Sequence, residues 1–320
     1  MMDLSIIIVN WNSKDYLLKA IASVEAEING IEFEVVVIDG GSFDGCGEML
    51  RQFYPHVVFI QSDKNLGFAK ANNEAFKMSR GRNLLFLNPD TEVEGLAIKT
   101  LYDQLIALPN AGIVGPKLLN TDGSIQKSCI RAFPTILNQV LESDILRNLF
   151  PMAGLWGMKP FQDKDERAKE VEAVSGACFM MKRSVFEQIR MFSTDYFMYS
   201  EDIDLCLKVR EAGLNTYYVP GAVVVHHGGG SSSQAGVNTF SSVMMLESRW
   251  RFFRKTRSVW YATLYRVAMF GTCIVRVVLV LCVWPASRLA GKEFSGRAVL
   301  KKWMAKLRWT IGGERWVKNY

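Results

Sequence analysis

The chain has 320 residues, 49% of them apolar and 22% charged, which is enough to bury a full core and excludes a disordered or fibrous polypeptide. Six cysteines are scattered without a C-x-x-C pair, which excludes a zinc ribbon and a disulfide framework and fits reduced, buried thiols. The net charge of +6 conceals an asymmetry: residues 248–320 hold 16 Lys and Arg against only Glu293 and Glu314, leaving 22 basic and 30 acidic residues in 1–247. A basic tail on an acidic body suits an anionic membrane surface or nucleic acid; its aromatic and aliphatic content favours the membrane, and no nucleic-acid partner is expected.

The opening MMDLSIIIVNWN carries Asp3 and a six-residue apolar run, too short and wrongly charged for a signal peptide, so the body is expected in the cytoplasm. Residues 4–9 predict a strand, Asn12 and Ser13 are N-cap candidates, and Leu17, Leu18, Ile21 and Val24 recur at helical spacing. The unit repeats: a strand over 33–38 and a helix to about Phe53, a strand over 57–60 and a helix over 69–78, then a strand over 83–87 cut off by Asn88, Pro89, Asp90 and Thr91. Such alternation predicts an α/β fold with a mostly parallel sheet wrapped by helices. Further on come a short strand over 112–114, a polar hairpin around NTDGS, a helical stretch over 136–149, and a Gly/Pro-interrupted loop over 151–160 where acceptor recognition is placed. Strand character returns over 171–181. YSEDIDLCLKVREAG then reads as a helix capped by Ser200 and ending at Gly213, and 223–225 is a strand that runs into His226 and His227.

In open α/β sheets ligands bind beyond the carboxyl ends of the strands. Polar clusters gather there: Asn10 with Asn12, Asp39 with Asp44, Asn65 with Gly67, and Asn88 with Asp90. Each alone reads as ordinary turn chemistry, and four together favour a site. Glu201, Asp202 and Asp204 begin a helix, where acids complement the macrodipole, yet three carboxylates in four residues behind Phe197 and Tyr199 also suit a reaction centre. VVVHHGGGSSS holds two of the three histidines before a Gly/Ser run whose backbone amides can approach a phosphate; the plainer readings are a hydrogen-bonded surface histidine and a flexible linker. No G-x-G-x-x-G follows the first strand, which argues against a nicotinamide oxidoreductase.

Taken in order, IIIVNWN, VIDGGSFDG, NLGFAKANN, FLNPDT, VSGACFMMKR, FMYSEDIDL and VVVHHGGGSS resemble the motifs of inverting, nucleotide-sugar-dependent family 2 glycosyltransferases of the GT-A fold, nearest to the rhamnosyltransferase-like branch of bacterial cell-surface polysaccharide synthesis. The resemblance runs from about residue 4 to 255. It implies a Rossmann-like GT-A catalytic domain over 1–240; the basic, aromatic residues 241–320 read, by their composition, as a helical, membrane-associating tail. It further implies that Asn10, Asn12, Asp39, Ser42, Asn65, Gly67, Asn72, Asn88, Asp90 and Gly176 bind a nucleoside-diphosphate sugar, that Asp90 and His226 (His227 being the alternative) hold Mg²⁺ or Mn²⁺, and that Asp202 is the general base with Glu201 orienting it or the acceptor. Asn88 stands where the family's commoner D-x-D form has its first acid, so the number of protein ligands to the metal departs from that pattern. The implied reaction moves a sugar, rhamnose being one candidate, to a hydroxyl of a lipid-linked or polysaccharide acceptor; the alternative is a catalytically inactive GT-A-fold scaffold of a membrane assembly.

The tail contains a hydrophobic segment over 259–284, of which 267–284 is just long enough to span a bilayer. Arg276 in its middle costs about 2.5–3.5 kcal/mol on insertion scales, and both flanks are basic. A segment lying in the cytoplasmic membrane interface is therefore expected, peripheral or monotopic, with Trp260, Tyr261, Trp284, Trp303 and Trp309 as anchors and a single span as the alternative. Arg257, Arg266 and Arg276 share no helical face, which counts against a simple amphipathic helix.

Overall fold

A strand sends successive side chains to opposite faces, so a strand that is apolar at every position must be covered on both. In β1 (Leu4–Asn10), Ile7 joins one buried cluster while Ile6 and Ile8 join the other. In β2 (Phe33–Asp39) and β4 (Asn83–Leu87), Val36, Ile38 and Phe86 face the first side and Val35, Val37 and Leu85 the second. The computed structural model, which describes residues 2–28, 30–141, 157, 167–228, 239–289 and 296–320, accordingly has one large sheet between two helical layers. One layer holds α1 (Lys14–Glu27), α2 (Cys46–Phe53) and α4 (Ala97–Ala107). The other holds α3 (Phe68–Met78), α6 (Arg183–Gln188), α7 (Glu201–Glu211) and the tail. In this second layer Phe86, Phe179, Phe186 and Phe192 form a ring cluster with centroids 5.0–6.2 Å apart in the contacting pairs, each pair adding about 0.5–1.5 kcal/mol beyond its area.

The sheet runs β3-β2-β1-β4-β10-β6-β11-β5, with β3 at Val58–Gln61, β10 at Cys178–Lys182, β6 at Ala111–Leu119, β11 at Asn215–His226 and β5 at Thr91–Glu94. The first four strands are parallel; β10 is antiparallel between β4 and β6, and β11 is parallel to β6 and antiparallel to β5. Asn10 lies beside Asp39, Cys178 beside Leu87, and His226 beside Thr91. The carboxyl ends of β2, β1, β4 and β11 thus meet the start of β10 along one edge. Beyond the sheet, β8 (Lys169–Val171) pairs with β11, and β7 (Ile130–Arg131) with β9 (Ala173–Val174).

Several expectations need correction. The strand predicted over 171–181 is broken into β8, β9 and β10, because Ser175, Gly176 and Ala177 turn away to serve the site described below. The strand predicted over 112–114 extends from Ala111 to Leu119 and leads into the expected polar turn, where Gly123 N–H donates to Asn120 O. β5 and α4 were not anticipated. Of the helix predicted over 136–149, α5 (Ile136–Val140) is present, while the rest, like the loop over 151–160 apart from Gly157, lies outside the described residues. Neither serine caps its helix: Ser13 Oγ donates to Trp11 O, and Ser200 sits at φ 72 with its hydroxyl accepting from Arg249. The acid Asp44 acts instead, accepting from Lys14 N–H and from Cys46 N–H at 3.0 Å each, so that one carboxylate closes the first turns of both α1 and α2.

The tail packs into the body. Val243, Leu246, Phe252 and Phe253 of α8 (Thr239–Thr256), Tyr265 of α9 (Val259–Leu289) and Trp309 of α10 (Gly296–Thr310) belong to the same buried cluster as Ile7 and Phe86. Glu247 accepts from Arg251 Nε at 3.0 Å and from Trp309 Nε1 at 2.9 Å. Trp309 is only 1% exposed, so it fastens the tail and is not a membrane anchor; Trp260, 84% exposed, keeps that possibility.

At Gly67 the chain has φ 73, and a Cβ there would lie 2.2 Å from Phe197 O, the carbonyl that accepts from Phe68 N–H. Gly67→Ala is therefore expected to destabilise the fold by about 2–4 kcal/mol through overpacking and left-handed strain, measured as a drop in the urea midpoint.

Candidate active site

Three clusters line the sheet edge. In the first, the buried Asn10 Nδ2 donates to Asp39 Oδ1 at 2.9 Å and Asp44 Oδ2 at 3.1 Å and meets Cys46 Sγ at 3.3 Å. The Asp39 carboxylate also receives Ser42 Oγ, the N–H groups of Ser42 and Phe43, and Gln61 Nε2 at 2.7 Å. Burial alone would raise the Asp39 pKa, but hydrogen bonds from Ser42, Gln61, Phe43 and Asn10 together hold it below the ordinary carboxylate value. Among the described residues Asn10 Oδ1 is buried without a hydrogen-bond partner, an acceptor whose desolvation is uncompensated until a donor meets it. Asp39, Asp44 and Cys46 lie close enough to share a cation. The Asn10 Nδ2 group already lies within hydrogen-bond distance of all three, however, and burial holds the Cys46 thiol far above its ordinary value, so this set fits a metal poorly.

In the second cluster, the buried Asp90 places Oδ1 3.3 Å from His226 Nε2, with Asn88 Nδ2 3.4 Å from the same nitrogen. His226 Nδ1 lies 2.9 Å from Gln126 Oε1, while Gln126 Nε2 donates to Asn120 Oδ1 and His226 O. That amide orientation puts the imidazole hydrogen on Nδ1 and turns the Nε2 lone pair toward Asp90. A carboxylate oxygen and an imidazole lone pair facing each other at this distance fit a hard divalent cation between them, with Asn88 able to add an uncharged oxygen after a flip of its amide. His227 is committed elsewhere, with Nε2 2.7 Å from Glu92 and Nδ1 3.1 Å from Thr121 Oγ1. The geometry therefore favours His226 of the two.

The third cluster is built on the start of α7. Asp202 Oδ2 accepts from Gly176 N–H at 3.0 Å and Arg131 at 3.1 Å, and Oδ1 accepts from Ile203 N–H at 2.9 Å. A Cβ on Gly176 would stand 3.1 Å from that of Asp202, a tight approach that glycine avoids. Glu201 is buried beside it with Oε2 unpartnered, and burial plus the Asp202 charge push its pKa up to about 8. One member of this pair is thus held neutral near pH 7, and Asp202 is the member whose charge is compensated. Tyr199 and Ser200 both take the left-handed conformation ahead of α7, at φ 70 and 72, a strain the fold tolerates where the chain must aim these acids. Asp204, the third acid, points away and receives Tyr196 Oη at 3.1 Å and Lys255 Nζ at 3.0 Å.

The second and third clusters are joined by Asn88 N–H, which donates to Ala177 O one residue from Gly176. Asn65 and Gly67 form a turn beside the first cluster, Asn65 Oδ1 accepting from Gly67 N–H. Asn12 is an exposed turn residue at φ 52. Asn72 donates to Phe68 O within α3, and among the described residues no contact ties it to the Asp39 cluster. Most of the Gly/Ser run after His227 lies outside the described residues. Gln126, Arg131 and Gln61 carry no motif that sequence reasoning would single out.

A glycosyl transferase family 2 model matches residues 5–190. A low-salt glycan biosynthesis hexosyltransferase of Haloferax volcanii is 31% identical over 219 residues, 67% of this chain and 63% of that protein, so the chain spans a little under two thirds of that relative. An N-acetylglucosaminyl-diphospho-decaprenol L-rhamnosyltransferase of Mycobacterium tuberculosis is 29% identical over 235 residues, 70% of this chain and 75% of that one. A mannosyltransferase from Pyrobaculum calidifontis, solved with GDP-Man and Mn²⁺, superposes with a TM-score of 0.54 at 14% identity, covering 97% of this chain and 86% of its own, which shows a shared fold.

Gln126→Leu is expected to release the His226 tautomer and weaken Mn²⁺ binding by about 10–100-fold, read by electron paramagnetic resonance of free Mn²⁺. A carboxyl whose folded pKa of about 8 exceeds its ordinary 4.5 keeps its proton longer folded than unfolded, so its contribution to stability is greatest at low pH and is lost as pH rises through that window. Thermal melts should show Glu201→Gln gaining on the wild type as pH is raised from about 5 to about 9.

Proposed function

Because the chain belongs to glycosyl transferase family 2, we propose that it transfers a sugar, with inversion, from a nucleoside-diphosphate donor to a hydroxyl of a lipid-linked glycan acceptor. The observation that carries this reading is the division of labour on one sheet edge. An acceptor-rich pair, Asp90 and His226, stands beside a single charge-compensated carboxylate, Asp202, with a neutral acid, Glu201, behind it.

The Asp39 cluster supports a nucleoside site. Its carboxylate accepts five hydrogen bonds within the fold and is fixed in place, and the orphaned Asn10 Oδ1 offers an acceptor to a donor of the bound base or sugar. Asp90 and His226, with Asn88, would hold the divalent ion, Mg²⁺ or Mn²⁺. When bound, that ion supplies charge neutralisation for the departing diphosphate. Asp202 then takes the acceptor hydroxyl proton on the face opposite the leaving group. Arg131 and the Gly176 amide occupy one of its oxygens and hold it in orientation, and Glu201 excludes a second negative charge from the same corner.

Relatives named for hexosyl and L-rhamnosyl transfer, the latter to a diphospho-decaprenol carrier, support a lipid-linked acceptor and a deoxyhexose or hexose donor. The apolar helix of the tail supports work at a membrane. Asn88 in place of an acid favours, as a second reading, a scaffold that binds a nucleotide sugar without turning it over.

Asp202→Asn is expected to lower transfer by about 10²–10⁴-fold while leaving donor binding, measured by calorimetry with Mn²⁺ present, within about twofold of the wild type. Near-normal turnover by this variant would reject the base assignment. Donor binding without turnover by the wild type, across a panel of nucleoside-diphosphate sugars and lipid-linked acceptors, would select the scaffold.

A further inference from the structure

α9 shows two unlike sides. Ala262, Tyr265, Met269, Cys273 and Val280 form a narrow buried seam, and the opposite stripe of Leu264, Val267, Ile274, Val275, Val278 and Leu281 is 42–62% exposed. Only 17% of its apolar window is buried, so this is not a core helix. α10 returns antiparallel along the seam. Arg266, near the start of α9, donates to Trp309 O at 2.6 Å and Thr310 O at 3.0 Å at the end of α10. Arg276 lies 5.7 Å over the Trp303 ring, and Gly296 lets Trp284 close the far end, where a Cβ would fall 2.2 Å from the indole. The two arginines that oppose membrane burial in the sequence are thus both turned onto α10, one of them onto the carbonyls of a helix C-terminus.

This pairing decides how the segment can meet a bilayer. α10 carries Arg297, Lys301, Lys302, Lys306 and Arg308 and no acid. Because α10 is packed against it, a crossing by α9 would draw those five cations into the hydrocarbon, where each is strongly disfavoured. We propose that α9 and α10 form a monotopic hairpin that lies in the surface of an anionic bilayer without crossing it. The exposed stripe of α9 enters the acyl region, the lysines of α10 sit among acidic headgroups, and Trp260 lies at the boundary. Trp309, bonded to Glu247 of α8, fixes the hairpin to the helix that Lys255 in turn ties to Asp204 in the body. The proposal shares with the functional reading only the membrane as partner, and its geometry does not depend on sugar transfer.

The full chain is floated with phosphatidylcholine vesicles with and without phosphatidylglycerol. Wild type is expected to float, at least about tenfold more with the anionic lipid; Val267→Asp with Val278→Asp abolishes flotation; Lys301→Glu with Lys302→Glu removes most of the anionic-lipid preference, about fivefold or more per lysine. Because Cys282 alone among the six cysteines is exposed, a fluorophore placed there reports depth, and brominated lipids should quench it. Protease added outside the vesicles should remove a C-terminal tag. A protected tag with the body accessible would overturn the proposal in favour of a crossing helix. Failure to float, with a concentration-dependent dimer that Val267→Asp dissolves, would overturn it in favour of a second copy as the occupant. Transfer to a water-soluble acceptor analogue is read in parallel, so that a failed hairpin and a failed transferase give different results.

Discussion

A buried carboxylate persists only where fixed donors replace the water it has lost. Asp39, Asp202 and Asp204 are all less than 10% exposed, and each is satisfied by groups from distant parts of the chain. Asp39 draws on β1, on its own turn and on β3; Asp202 draws on β7 and on the turn before β10; Asp204 draws on α8. These compensations hold the sheet edge, the α7 helix and the tail in one arrangement. Removing a partner would leave a charge in low dielectric, so the same bonds that position chemistry also make the site expensive to deform.

The parallel register gives those charges a common edge. β1 pairs with β2 and β4 so that Asn10 falls beside Asp39 and Ile8 beside Leu87, and β10 enters antiparallel with Cys178 beside Leu87. Gly176 and Ala177 are thereby delivered next to Asn88, and Gly176 in turn meets Asp202. The two acids of the Glu201–Asp202 pair then diverge in environment although they are adjacent in sequence. Asp202 has three donors, whereas Glu201 Oε2 has none. The difference follows from the turn of a helix, which directs neighbouring residues about 100° apart.

Much of this was legible in the sequence because it is local. The βα alternation through residue 87 follows from apolar periodicity, and the strand-end polar clusters follow from where open sheets bind ligands. Asp90 and His226, 136 positions apart, were paired only through the resemblance, and β11 beside β5 brings them together. What escaped was non-local or unmarked. Arg131 sits on a two-residue strand and Gln126 just past a polar turn, and a single Arg or Gln in such places has no pattern to announce it. Ser13 and Ser200 looked like caps by type, yet the cap of α1 is supplied by Asp44, thirty residues on. Asn72 has the right type for a ligand contact, but its helical position allows the amide to reach its own backbone, the common fate of short polar side chains inside helices.

The tail shows why a hydropathy argument needs a partner helix. Read alone, residues 259–284 are long enough to cross a membrane, and Arg266 and Arg276 seem to spoil both a span and an amphipathic stripe. With α10 in place the arginines face protein, the stripe opposite them is apolar, and in the proposed hairpin it is the lysines of α10 that bar a crossing. The basic excess and the apolar run are then one device viewed from two sides. Because α8 bonds Trp309 through Glu247 and Asp204 through Lys255, and Asp204 stands in the first turn of the helix that carries Asp202, the proposed membrane hairpin would take its orientation to the sheet edge from those same buried charges.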